Sequence, residues 1–311
     1  MKNLILLVSL FLLVLSSHAK AEVGNPLKSL RSVDLKGVYP SAMMYDQGKL
    51  IFTADTYEAT GTLNFFDPNT GMIDSIHAFT GCVFKMGDRS GSCGSHSIAK
   101  YKNLILLPAG ENGLAFFETE TKTTTYLKFP NEVVYSVDVA NDHAYVAARS
   151  GHIYVYDLAQ LKFAQTYTLP DGYVARDLKV DANGMMDLVV YNQTTDHHLS
   201  HPTIGIYDSV RNTISIPDEE FHPSHVDLVE GDLEFVGTVD DDDLQMDFVH
   251  TDRVTRALQV NELIPFADQS IQWRQGTSLV TKNYLFLALI YQKAGDAYTT
   301  SELHVFDISR Y

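Results

Sequence analysis

An all-β ring of six four-stranded units is the architecture this sequence predicts, on three observations. First, a short motif recurs in which an apolar or aromatic pair closes an alternating strand and a polar residue follows. It reads "LNFFDPNTG" from Leu63, "LAFFETETK" from Leu114, "IYVYDLAQL" from Ile153, "IGIYDSVRN" from Ile204, "MDFVHTDRV" from Met246 and "LHVFDISRY" from Leu303. Second, every copy follows another apolar strand, such as "KLIFTA" from Lys49 or "HAYVAA" from His143, with a shorter strand before it and an outer strand after it. Four short strands per unit, separated by turns rich in Gly, Asn and Asp, make a propeller blade. Third, the last unit stops after its third strand at Asp307-Ile308, while "KSLRSVDL" from Lys28 is a spare strand ahead of any complete unit. Pairing the two closes a β-propeller and removes the sheet edges that invite aggregation.

The spacing agrees. Two Ser-His pairs, in "CGSHSI" from Cys93 and "HPSHVD" from His222, stand 129 positions apart at His96 and His225. Over three units that is about 43 residues each, within the 40–45 usual for four-stranded blades. Seven blades remain the alternative if a degenerate unit lies in residues 261–281. No stretch after the first 21 residues has a convincing helical period.

Residues 1–21 read as an export signal: Lys2, an apolar run from Leu4 to Leu15, then Ala19-Lys20-Ala21, with cleavage expected before Glu22. The run is too short to span a bilayer, which takes roughly 20 residues, so no membrane insertion is expected after cleavage. The expected product is one propeller domain, residues 22–311, periplasmic or secreted. Cys82 and Cys93 are the only cysteines, and in an exported chain a disulfide between them is the expectation. The formal charge of −16 becomes −18 once Lys2 and Lys20 leave with the signal. Such a field repels phosphate backbones and argues against nucleic acid as a partner.

The units resemble those of the broad exported β-propeller superfamily that includes quinoprotein-like and lactonase-like repeat proteins, on "VYDL" and "FFDPNTG" across nearly the whole mature chain. The sialidase Asp-box is absent, and so is the Trp-Asp dipeptide of WD repeats, since Trp273 precedes Arg274. The resemblance implies a shape and leaves the reaction open. It also implies where ligands meet the fold: loops entering the inner strands share one face with the hairpins joining second and third strands. Aligning those entrances places Tyr39, His96, Tyr135, Arg176, His225 and Arg274 at or near one repeated position, with Asp177 beside Arg176 to orient a cation. Bulky polar residues in such a ring suit a small anionic or hydroxylated ligand, Arg reading carboxylate or phosphate through paired donors. The serines beside them read as turn residues bonded to nearby backbone.

Two hairpins offer metal ligands. "YNQTTDHHLSHP" from Tyr191 carries His197, His198 and His201, though neighbouring histidines point apart on an extended chain. "VDDDDLQMD" from Val239 carries Asp240 and Asp242, oxygen ligands of the kind calcium takes, without EF-hand spacing. Both read first as solvated loops. GxSxG, HExxH and P-loop signatures are missing. Binding of a small molecule or of an envelope or extracellular protein on the upper face is therefore the leading expectation. A metal-assisted, lactonase-like hydrolase, with a divalent metal such as calcium, is the second. An interaction scaffold with an inert channel is the third.

Overall fold

The computed structural model describes residues 22–23, 26–35, 38, 40–54, 60–68, 70–80, 95, 97–192, 202–215, 222–223, 225–238, 247–251, 258–264, 271–293 and 300–309. The expected signal, the Cys82–Cys93 pairing, Tyr39, His96, His197, His198, His201, Asp240 and Asp242 lie outside these residues.

Six antiparallel sheets follow one another along the chain. Inner, second, third and outer strands are Pro40–Asp46, Lys49–Ala54, Thr60–Phe66 and Ile73–Thr80 in blade 1, and Ala99–Tyr101, Leu104–Pro108, Leu114–Glu118 and Thr123–Leu127 in blade 2. Blade 3 is Val134–Ala140, His143–Ala148, His152–Asp157 and Lys162–Thr168; blade 4 is Tyr173–Val180, Met186–Asn192, Thr203–Asp208 and Thr213–Ser215. Blade 5 begins with the short strands His222–Pro223 and Asp227–Val229, then Asp232–Thr238, Asp247–Thr251 and Leu258–Ile264. Blade 6 is Ile271–Val280, Tyr284–Lys293 and Thr300–Asp307, completed by Arg31–Asp34 from the start of the chain.

That closing strand is the spare one expected from sequence. Val33 pairs with Leu303 and Arg31 with Val305, and the backbone N–H of Leu35 donates to Ser301 O at 3.0 Å. The described residues of segment 261–281 form no further blade: they supply the end of blade 5's outer strand and all of blade 6's inner strand. One feature was not legible. Glu22–Val23 and Leu27–Lys28 pair parallel to blade 5's outer strand, so the N-terminal segment fastens two blades.

Hairpins explain the tight packing of strands. Gln47-Gly48, Asn141-Asp142 and Glu230-Gly231 join inner to second strands in blades 1, 3 and 5, all at positive φ. Two-residue turns of this hand match the twist of the strands they connect.

Each junction between blades has its own apolar cluster. Val189 and Ile204 of blade 4 pack on Val226 and Phe235 of blade 5. Met43, Phe52 and Phe66 of blade 1 pack on Leu279, Phe286 and Leu303 of blade 6, with Leu35 beneath the closing strand. The six-to-one contact shows that the ring is shut. No helix among the described residues is long and apolar enough to cross a membrane.

Candidate functional site

The inner strands of blades 1, 3, 4 and 6 carry an extra residue near one end. Pairing steps from Val134–Ala148 to Ser136–Ala147 in blade 3 and from Ala175–Val190 to Asp177–Val189 in blade 4, so Tyr135 and Arg176 are the bulged residues. The equivalent extra residues are Ser41 in blade 1 and Gln272 in blade 6. A bulge bends the strand and re-aims a side chain, which is why bulges gather beside functional sites. Tyr39 and Arg274, aligned with these positions from sequence, therefore stand two residues away from the structural equivalents. Of Arg274 the backbone alone is described.

Blades 3 and 4 together build a basic, aromatic mouth. Arg176 Nη1 donates to Tyr191 Oη at 2.6 Å. Tyr191 stands opposite Val174 on the neighbouring strand, and Val174 packs against Tyr135 and Val133. Burial raises the Tyr135 phenol above its ordinary range, as does Tyr191, while Arg149 and Arg176 oppose the shift. Arg149 follows Ala148 in the adjoining hairpin, exposed, with its backbone N–H bonded to Val133 O at 2.9 Å. Arg176 Nε is buried and has no hydrogen-bond partner among the described residues. A buried donor left unpaired costs about 1–3 kcal/mol.

Asp177 and His225, the other two expected site residues, lie deeper and together. The Asp177 carboxylate accepts from Ser136 Oγ at 2.8 Å and from the backbone N–H of Val226 at 3.2 Å, with His225 Nδ1 at 3.5 Å. It joins blades 3, 4 and 5 and does not face the mouth. The same device recurs around the ring. Ser97 Oγ accepts from the N–H of Val137 at 2.6 Å, Asp138 from Val180 at 2.8 Å and Asp227 from Val280 at 2.8 Å. Each of blades 2 to 5 thus holds the backbone of the next blade through a side-chain acceptor on or just before its inner strand.

Three of those acceptors are carboxylates surrounding Lys179, whose Nζ lies 3.9 Å from Asp227 Oδ1. Burial works against the lysine's charge, but Asp138, Asp227 and Asp177 outweigh it and raise its pKa. Burial raises Asp138 and pushes Asp227 up to about 6, only partly offset by Lys179. Burial also opposes the ionised form of Asp177, but His225, Lys179 and Ser136 hold its carboxyl below the usual range.

A pH dependence follows. Between the ordinary carboxyl value of 3.8 and about 6, folded Asp227 binds more protons than the unfolded chain, so its contribution to stability rises as pH falls through that window. Asp177 acts oppositely, its contribution being lost below the ordinary range. Asp227→Asn is therefore expected to reduce the gain in unfolding free energy between pH 7.5 and pH 5, by about 1–3 kcal/mol. Urea titrations at the two pH values measure it, and an unchanged gain contradicts the assignment.

Outward from the mouth, Glu132 fixes the top of blade 3. Its Oε1 accepts from Ser150 Oγ at 2.7 Å and Tyr154 Oη at 2.8 Å, with His152 Nδ1 at 3.1 Å. Burial opposes its charge, yet these bonds hold it below its usual value, while burial and Glu132 push the Tyr154 phenol up to about 12. Ser150 Oγ also meets His152 Nδ1, at 2.9 Å. One imidazole nitrogen thus faces both the hydroxyl and the carboxylate, whereas a nucleophilic relay needs one partner on each nitrogen. Beside Tyr154 lies a 360 Å³ groove lined by Phe129, Pro130, Phe163 and residues 164–166. Among the described residues no three His, Cys, Asp or Glu side chains converge as metal ligands.

Comparison with known proteins places the fold. No family model matches the chain, and no curated protein matches it. Solved structures do. The β-propeller domain of Cps50 (Swd1) from Myceliophteria thermophila is similar with a TM-score of 0.52 at 9% identity, over 91% of this chain and 100% of that one. U3-55K is similar with a TM-score of 0.56 at 8% identity, over 89% and 98%. The WD40 β-propeller domain of Doa1 is similar with a TM-score of 0.52 at 11% identity, over 91% and 97%. At these identities the likeness is one of fold alone. It is to WD40-type propellers even though the Trp-Asp dipeptide is missing, and it gives no particular support to the quinoprotein-like or lactonase-like branch.

Proposed function

We propose that the protein is an exported propeller that binds, and does not transform, an anionic ligand at the mouth between blades 3 and 4. Export rests on the sequence of residues 1–21 alone. Binding rests chiefly on one observation, the buried Nε of Arg176 with no partner among the described residues. One Nη1 hydrogen is committed to Tyr191, and Nε is a buried donor still open to a carboxylate or phosphate oxygen. Arg149 adds charge from the rim, and the Tyr135 ring walls one side. The shared nitrogen in the Ser150–His152–Glu132 group gives a serine nucleophile no relay.

Calorimetric titration with acetate, succinate and inorganic phosphate tests this. Saturable binding is expected in the wild type, lost in Arg176→Ala and weakened at least tenfold in Arg176→Lys, since an ammonium cannot reproduce the planar fork. Arg149→Ala is expected to weaken binding several-fold, less at high salt where exposed charges are screened. Wild-type protein that binds none of the three anions refutes the proposal.

A further inference from the structure

The three nitrogens of the Arg176 guanidinium lie in one plane, and the protein uses them unequally. Nη1, the nitrogen on the Cδ side, donates to Tyr191 Oη at 2.6 Å. Nε and Nη2 share the opposite edge, where their N–H bonds run side by side. Nε is buried and unbonded among the described residues, while Nη2 makes no bond to them either and is not buried. Whichever Nη1 hydrogen Tyr191 accepts, the Nε/Nη2 edge is left whole. The phenol that anchors the plane is itself fixed, because Tyr191 is buried on the second strand of blade 4, opposite Val174. The bulge at Arg176 sets the other end of the side chain.

That edge fits a planar carboxylate, whose two oxygens lie in the guanidinium plane and accept one N–H each. A tetrahedral anion reaches the same edge but carries further oxygens out of the plane. Beside a buried Nε those oxygens lose water without gaining a partner, which is costly. Charge sets a second condition. Deeper than Arg176, Asp138, Asp177 and Asp227 surround the single Lys179, and the whole chain carries a formal charge of −16. One negative charge is favoured on the guanidinium, and a second meets repulsion. We propose that the anion is a monocarboxylate held side-on, one oxygen on Nε–H and the other on Nη2–H of Arg176, and that Tyr191 is the residue that positions this edge. This inference rests on the anion reading of Arg176 given above.

Calorimetry at pH 7.5 and constant ionic strength separates shape from charge with three probes. Acetate is a planar monoanion, methanesulfonate a tetrahedral monoanion and sulfate a tetrahedral dianion. Acetate should bind about tenfold or more tighter than methanesulfonate, and methanesulfonate tighter than sulfate. Tyr191→Phe should weaken acetate several-fold and reduce its advantage over methanesulfonate to about threefold or less, because a freed guanidinium presents its other edges. An equal loss for both ions, with their ratio kept, would give Tyr191 a merely structural part and overturn its positioning role. Acetate and methanesulfonate bound alike by the wild type overturn the side-on carboxylate. Sulfate bound as tightly as acetate overturns the single charge, and in both cases the anion reading stands. If none of the three binds, and succinate and phosphate do not bind either, the anion reading falls with it.

Discussion

Lys179→Met is expected to destabilise the protein by about 3–5 kcal/mol, the usual cost of removing one partner from a buried ion set. The substitution keeps the side-chain length but leaves Asp138, Asp177 and Asp227 facing one another without their cation. Against a typical total stability of about 5–15 kcal/mol, that is a large fraction. The defect should shrink at pH 5, because Asp227 then carries its proton, and the double variant Lys179→Met, Asp227→Asn should recover part of the loss at neutral pH. Urea denaturation at pH 7.5 and pH 5 measures both. A loss below about 1 kcal/mol at pH 7.5 would mean that the ring is held by its apolar junctions, with the central charges incidental.

Deleting residues 22–34 should have the largest effect of all. It removes the partner of Thr300–Asp307 and uncovers the cluster of Leu35, Phe52, Phe286 and Leu303. The lost pairing and burial amount to about 5 kcal/mol or more, and the bared strand edge should promote association. Size-exclusion chromatography and thermal unfolding would read both consequences. A circular permutant in which residues 22–34 follow Asp307 supplies the same outer strand from the other end and should restore a monomeric, cooperatively unfolding protein. A deletion variant that remains monomeric with unchanged melting would contradict closure by that strand.

The fold was readable because blade strands alternate apolar and polar residues and the same apolar-aromatic pair closes each third strand. The closing strand was readable as a shortage at one end matched by a surplus at the other. The site was readable only in part. Tyr135 and Arg176 stood out as bulky residues where a turn residue would suffice, and the structure brings them together. Asp177 was expected beside Arg176, and alternation along the strand turns it inward, where it ties blades; His225, aligned with the repeated position, is buried with its Nδ1 3.5 Å from Asp177. The bulges were invisible because an extra residue leaves no mark in composition, so Tyr39 and Arg274 were aligned two positions from Ser41 and Gln272. Arg149 was passed over inside the short "ARSGH" hairpin, although an arginine at a tight turn on the binding face was the available signal. The acceptors Asp138 and Asp227 did carry one: an Asp inside an apolar inner strand, as in "YSVDVA" and "SHVDLVE", must find a buried donor.

The account depends most on the unpaired Arg176 Nε–H. It can be followed by nitrogen-15 NMR of the arginine side chains, with Arg176→Lys identifying the resonance by its disappearance. An Nε–H signal that shifts saturably on adding acetate is the predicted result. A signal that is protected from exchange in the free protein and unmoved by acetate would show that the donor already has its partner, and the proposed anion site would not exist.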